Sequence, residues 1–303
     1  HVNNGGDNWV WESDDKETKR VARQMMQMVV NLNKNNQADF RGSGITCYTC
    51  HRGQTAPQRI PTLPLTASER EADGAAREPK SKEPLPTVEQ VLSRYVEAVG
   101  GAAAAKLKTL LMKGVREASE GRNWALEVSV KQPDKFLIAV TVPGQGIISQ
   151  GFDGARGWLK NPREQRAMTA DELAALRQTA ELYEVIKIKG LPAEAKVTSI
   201  ERIGGRESYM LEFTPAIGKV ERWYFDVQTG LLLRKLTLTN TVLAPIPEQI
   251  DFEDYREVDG VKLPFVIRIS DIDPYFNTTR RITEIRHSVP LDDARFNQPA
   301  GQK

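Results

Sequence analysis

The 303-residue chain carries 42 Lys and Arg against 40 Asp and Glu, a net charge of +2, with 40% hydrophobic residues. That balance lacks the clustered excess of basic residues that nucleic-acid binding requires. No run approaches the roughly 20 consecutive apolar residues needed to cross a bilayer as a helix, and the apolar content suffices for two modest domains with separate cores.

In chain order, the first element is a helix expected over residues 15–33. Asp14, with Glu17 three residues later, resembles a capping box. Val21, Met25, Met28, Val29 and Leu32 recur at helical spacing and form one apolar stripe, with Met26 off it. Asn33–Lys34–Asn35–Asn36 ends the helix, and a loop with Gly42 and Gly44 leads to Cys47–Tyr48–Thr49–Cys50–His51.

These are the only two cysteines, and the histidines are His1, His51 and His287. Two thiols so spaced reach both vinyl groups of a porphyrin, and the adjacent imidazole binds iron from one face; Cys-x-x-Cys-His is the attachment signature of c-type haem. Structural zinc would need about two more Cys or His ligands, and only the distant His1 and His287 remain. A thioredoxin-like redox pair would follow a strand in a βαβ unit, and no strand precedes this motif. A disulfide across two intervening residues would be strained. A Met from the preceding helix would complete the iron's coordination. Individually, Met25, Met26 and Met28 also read as adaptable core residues, but so small a domain has little besides haem to pack against.

Residues 56–87 hold six prolines among charges of both signs and read as an extended linker. From residue 88 a β-rich domain is expected to run to residue 299. It opens with a helix over 88–99, stopped by Gly100–Gly101. Alternating patterns predict strands over 124–130, 136–142, 196–203, 208–214, 221–226, 231–239, 249–255, 263–271 and 279–286. Asp226 to Gly230 and Asp259–Gly260 carry hairpin turn chemistry. A helix over 169–185 has Thr169 as N-cap and Glu172 three residues later. The expected class is α+β: a small haem-dominated α domain (1–55), then a curved antiparallel sheet, or half-barrel, with one or two helices.

Ala22–Arg23–Gln24–Met25–Met26–Gln27–Met28–Val29, followed by Gly44–Ile45–Thr46 and Cys47 to Gly53, resembles the cytochrome c subunit of photosynthetic reaction centres. More broadly it resembles the reaction-centre-type multihaem cytochrome domain that also occurs in non-photosynthetic bacteria. The resemblance covers residues 1–55. It implies thioether bonds at Cys47 and Cys50, His51 as proximal iron ligand and Met25 as distal ligand, with Met28 as fallback. It also implies that His1–Val2 is the end of a preceding motif, making His1 the proximal ligand of a second haem c. The family's loop histidine is replaced here by Asp39, which favours one or two haems over four. Gly151 to Trp158, the following helix and Asp251 to Tyr255 resemble the LolA/LolB-type lipoprotein carriers.

The functional expectation is a periplasmic or extracellular c-type cytochrome, an electron-transfer protein rather than an enzyme. Redox proteins or a membrane electron-transfer complex are its expected partners, with a homo-oligomer a further expectation and no nucleic acid. No signal peptide opens the chain, so the start is read as processed or truncated, with membrane association through the missing residues. The alternatives are a lipid- or lipoprotein-binding carrier or assembly protein, and a structural subunit of a haem-bearing assembly. His287 and the acidic Asp251, Glu253 and Asp254 read as structural, and no nucleophile–base constellation points to hydrolysis.

Overall fold

The computed structural model describes residues 2–3, 9–10, 13–36, 44–52, 56–57, 60–61, 63, 84–118, 121–181, 191, 194–216, 218–241 and 245–299. The chain divides into two compact units, His1–Ile60 and Pro61–Lys303. Most of the expected Pro-rich linker lies outside the described residues.

In the first unit, β1 (Val2–Asn3) pairs antiparallel with β2 (Trp9–Val10). Helix α1 spans Glu17–Asn35 and α2 spans Cys47–His51. The helix α1 starts two residues later than the sequence suggests, and Lys16 at its N-cap makes no side-chain cap. The expected capping box does not form because Asp14 is engaged elsewhere: its carboxylate takes Arg23 at 2.8 Å and Lys19 at 3.8 Å. The apolar stripe is also narrower than expected. Met25, Val29 and Leu32 are half-buried, whereas Val21 and Met28 are exposed. Neither α1 nor α2 contains a fully buried residue.

The second unit is built on one sheet. Helix α3 (Val88–Ala98) begins at a capping box in which Gln90 N donates to Thr87 Oγ1 and Thr87 N donates to Gln90 Oε1. The chain then turns at Gly100 (φ +81) into the short helix α4 (Gly101–Ala104). A Cβ on Gly100 would lie 2.0 Å from the carbonyl oxygen of Gly260, so only glycine fits.

The strands follow as β3 (Thr109–Ala118), β4 (Asn123–Lys131), β5 (Lys135–Val142), β6 (Gly146–Phe152), β7 (Gly157–Lys160) and β8 (Gln165–Ala167). Helix α5 (Ala170–Glu181) carries the expected cap, Thr169 N to Glu172 Oε2 at 2.8 Å and Glu172 N to Thr169 Oγ1 at 3.3 Å. Residues 182–185 of the expected helix lie outside the described residues. Then come β9 (Lys196–Ile203), β10 (Arg206–Ala216), β11 (Lys219–Asp226), β12 (Leu232–Asn240), β13 (Pro245–Val258), β14 (Val261–Asp271) and β15 (Thr278–His287).

All thirteen strands from β3 to β15 pair antiparallel in the order β8-β7-β6-β5-β4-β3-β15-β14-β13-β12-β11-β10-β9. The sheet is curved and, among the described residues, does not close. The two turns read from sequence are present. Asp226 Oδ1 accepts from Gln228 N and Thr229 N, and Asp259 and Gly260 both take positive φ between Val258 and Val261, as a two-residue hairpin loop requires.

One core covers one face of the sheet. Val91 and Tyr95 from α3, Val99 just after it and Leu176 from α5 join Val128, Leu211, Phe225 and Ile267 there, and Tyr95 meets Phe225 edge-on at 5.5 Å. Against the sequence expectation, β3, β6, β7 and β8 are additional strands, and β1 and β2 precede the Cys-x-x-Cys-His motif where no strand was expected; they pair antiparallel with each other, which is not the βαβ setting of a thioredoxin-like pair.

Candidate functional site

The Cys-x-x-Cys-His segment forms a single helical turn. Thr46 caps it in extended conformation, its N–H donating to Thr49 Oγ1 at 3.0 Å. The turn closes at Arg52, whose N–H donates to Tyr48 O at 2.9 Å with φ at +49. Helical periodicity puts Cys47 and Cys50 (i, i+3) and His51 (i+4 from Cys47) on one side. Both thiols are free and exposed, and His51 is half-buried.

The other half of the site is α1. Within it the half-buried positions are Lys19, Met25, Val29, Leu32 and Asn33. Met26 and Met28 are 50% and 49% exposed, so Met25 is the methionine on the sheltered side. Residues 37–43 and His1 lie outside the described residues, so the reading of His1 as a second proximal ligand and the replacement at Asp39 have no structural counterpart here.

Asn33 joins the two halves. Its Nδ2 donates to Ile45 O at 2.7 Å, and its Oδ1 accepts from Ile45 N at 2.7 Å. Gly44 enters this contact at φ +61, and a Cβ there would lie 3.1 Å from Asn33 Oδ1. Sequence reading missed Asn33. The available signal was an asparagine within a helix beside an apolar stripe, where its side chain competes with backbone hydrogen bonding unless it is used.

Haem c needs two free thiols, a neighbouring imidazole and an apolar surface. Cys47, Cys50 and His51 supply the first two. The apolar side of α1 supplies the third, since Met25, Val29 and Leu32 stay half-open and the helix has no buried residue. The residues present fit the group. Among the described residues, no cluster of three or more His, Cys, Asp and Glu side chains is arranged to hold a free metal ion, and no helix is long and apolar enough to cross a membrane.

Residues 1–89 match the family model of the photosynthetic reaction centre cytochrome C subunit. The chain is 46% identical over 48 residues to the photosynthetic reaction center cytochrome c subunit of Thermochromatium tepidum, covering 16% of this chain and 12% of that protein. It is 41% identical over 58 residues to the same subunit of Roseobacter denitrificans, covering 18% and 16%. The chain thus spans under a fifth of the curated relatives it matches.

Among solved structures, a DUF1329 family protein from Desulfovibrio piger superposes with a TM-score of 0.51 at 16% identity, over 69% of this chain and 97% of that one. A domain from Vibrio parahaemolyticus assigned to outer-membrane lipoprotein sorting gives 0.51 at 14% identity, over 69% and 97%. At such identities the likeness is one of fold. The chain therefore joins an N-terminal region similar to the reaction-centre cytochrome c subunits to a β-unit that shares the fold of these two structures.

Proposed function

We propose that the protein is an exported c-type cytochrome that passes single electrons between redox partners, in the periplasm or at a membrane electron-transfer complex. The observation that carries this reading is the pair of free, exposed thiols sharing one helical turn with His51, tied to a methionine helix that has no buried residue. Cys47 and Cys50 would form the thioethers, His51 the proximal iron bond and Met25 the distal one. When bound, haem c supplies a one-electron couple between ferric and ferrous iron. The chain's own work is to hold the ligands, exclude water with Met25, Val29 and Leu32, and present the exposed side of α2 to a partner. The cytochrome region is assigned to residues 1–55 and the LolA-like domain to 88–299, with the Pro-rich stretch between them as linker. His1 is assigned to a second haem.

The test is a pyridine haemochrome count with reduced-minus-oxidised spectra on protein exported from a host with haem c maturation. A c-type spectrum with one haem per chain is expected, because Cys47 and Cys50 are the chain's only cysteines; a Cys-x-x-Cys pair added directly ahead of His1 should raise the count to two if His1 serves a second haem. Free thiols at both cysteines and no covalent haem would overturn the reading. Met25→Ala should remove the ferric methionine–iron charge-transfer band while Met28→Ala keeps it; the reverse result would move the distal ligand to Met28.

A second reading, a lipid or lipoprotein carrier in which haem is secondary, is favoured by the β-unit's likeness to a lipoprotein-sorting domain. An apolar groove of about 720 Å³ beside α3 and α4, lined by Leu92, Val96, Gly101 and Ala103 among others, adds to it. Stoichiometric acyl lipid in native mass spectra, lost on delipidation, would promote it.

A further inference from the structure

The two ends of the haem site reach the iron by different routes. Cys47, Cys50 and His51 lie within five residues on α2, so thioether attachment and proximal ligation of a bound haem would be fixed locally. Met25 arrives on a separate helix, 22 residues before Cys47 in sequence. Its placement depends on whatever holds α1 against the segment entering α2.

The Asn33 side chain does this. Asn33 lies two turns after Met25 on α1 and presents both amide groups to one backbone residue, Ile45, at 2.7 Å each. The pairing imitates a strand-to-strand bridge: the amide donor meets the carbonyl and the amide acceptor meets the N–H of the same residue. Ile45 immediately precedes the Thr46 cap of α2. Gly44, at φ +61, brings the chain into the clamp through a conformation that residues with a Cβ rarely adopt. Nearby, Asn36 N and Nδ2 both donate to Leu32 O, which ends α1 just beyond the clamp. The clamp therefore fixes the spacing and rotation of the Met25 helix relative to the start of the haem-binding turn.

We propose that Asn33 is the positioning residue for distal ligation: it sets where Met25 stands relative to α2 and has no part in haem attachment. This rests on the cytochrome reading above and assigns a role within that site. Asn33 itself touches neither the thiols nor His51 in any contact described, so its removal should leave the thioethers intact and loosen only the methionine bond.

The experiment compares wild type with Asn33→Leu, which matches the side chain in size and lacks both hydrogen-bonding groups. Asn33→Asp is the half-clamp, and Asn31→Leu is the control, since Asn31 is exposed and accepts from Gln27 on the same helix. In N33L the covalent haem count should equal wild type. The methionine–iron band should weaken or vanish, and affinity of the ferrous protein for carbon monoxide should rise about tenfold or more, the equivalent of two lost hydrogen bonds. N33D keeps the acceptor for Ile45 N–H but sets a carboxylate against Ile45 O. Its band should be weak at pH 7 and strengthen towards pH 4 as the carboxyl gains a proton and so a donor, whereas the wild-type band should stay flat. N31L should match wild type throughout.

The outcomes separate the two claims. Absence of covalent haem in wild type would remove the cytochrome reading itself. Wild type with haem and a methionine band, and N33L indistinguishable from it, would overturn the positioning role alone. So would loss of covalent haem in N33L and N33D together, because Asn33 would then act on attachment.

Discussion

Replacing Gly100 with alanine tests how tightly the helical layer is keyed to the sheet. Gly100 has φ +81, and an added Cβ would stand 2.0 Å from Gly260 O, far inside contact distance and against backbone that cannot rotate away. The left-handed conformation alone costs an alanine about 1–2 kcal/mol. Relieving the overlap means moving the Asp259–Gly260 turn off α3. That strains the hydrogen bond from Lys262 N to Val99 O, 3.1 Å long, for about 1 kcal/mol. It also parts Val99 and Val261, 0% and 1% exposed, for about another 1–2 kcal/mol. The expected total is about 3–5 kcal/mol.

Gly121→Ala is the matched control. Gly121 has φ +69 with nothing within 4 Å of an added Cβ, so only the conformational cost of about 1–2 kcal/mol applies. Urea unfolding followed by tryptophan fluorescence on the full chain should separate the variants by about 2–3 kcal/mol, or several degrees in Tm. Equal destabilisation within about 0.5 kcal/mol would refute the argument that the turn is wedged against the helix start.

Three further outcomes follow from side-chain chemistry. Lys131 and Lys135 donate to Asp293 at 2.6 and 2.9 Å and hold its carboxyl at about 2; because the folded value lies below the unfolded one, this stabilisation is complete above about pH 4 and lost as pH falls towards 2, so Asp293→Asn should flatten the urea midpoint over that window. Glu221, Thr237, Glu248 and Asp271 stand in one cross-strand row, and desolvation, then Asp271 and Glu221, push the Glu248 carboxyl up. Stability tied to protonated Glu248 is present at low pH and lost as pH rises through the carboxylate range, so Glu248→Gln should raise stability against urea at pH 7 by about a few tenths of a kcal/mol, small because Glu248 is exposed and its charge screened, and by less at pH 4. Arg234 Nε donates to Asp251 at 2.6 Å, with side chains only 15% and 13% exposed; Arg234→Ala leaves that carboxylate to the Gln249 amide, which donates to it at 2.7 Å, and should cost about 2–4 kcal/mol in thermal or urea unfolding.

Legibility followed locality. The Cys47–His51 motif is contiguous, so its chemistry reads from five letters, and the Thr169–Glu172 cap reads from four. Strands β9 to β15 alternate cleanly enough to be found. Strand β3 was missed because Gly114 interrupts it where a Cβ would lie 2.1 Å from Arg281 O, a constraint set by a strand far along the chain. Strands β7 and β8 are short, and in β6 Gly151 breaks the pattern because the Trp158 ring lies across it, 2.4 Å from where a Cβ would be. The Asp14 cap failed because Arg23, one face of the helix further on, competes for the same carboxylate. Asn33 was illegible for a like reason: its partner Ile45 is twelve residues away across a loop, and nothing in the local pattern names it.

The seam between β3 and β15 has a consequence for how the β-unit is made. These two strands lie near the sequence ends of the unit yet near the middle of the sheet, paired from Thr278↔Ala118 to His287↔Leu110, with Thr109 Oγ1 reaching Val289 O across 180 residues. A chain emerging N-terminus first can assemble β3 to β8 early, but the open edge of β3 must wait for the last strand. Closing that long loop should set the folding rate, and until it closes, an unpaired β3 edge offers itself to other chains. A stop codon ahead of residue 278 would therefore leave two separate meanders rather than a shortened sheet. A circular permutant of residues 84–299 opened between β8 and β9, the edge strands, would shorten the chain between β15 and β3 to little more than α3 and α4 and should fold faster than the natural order.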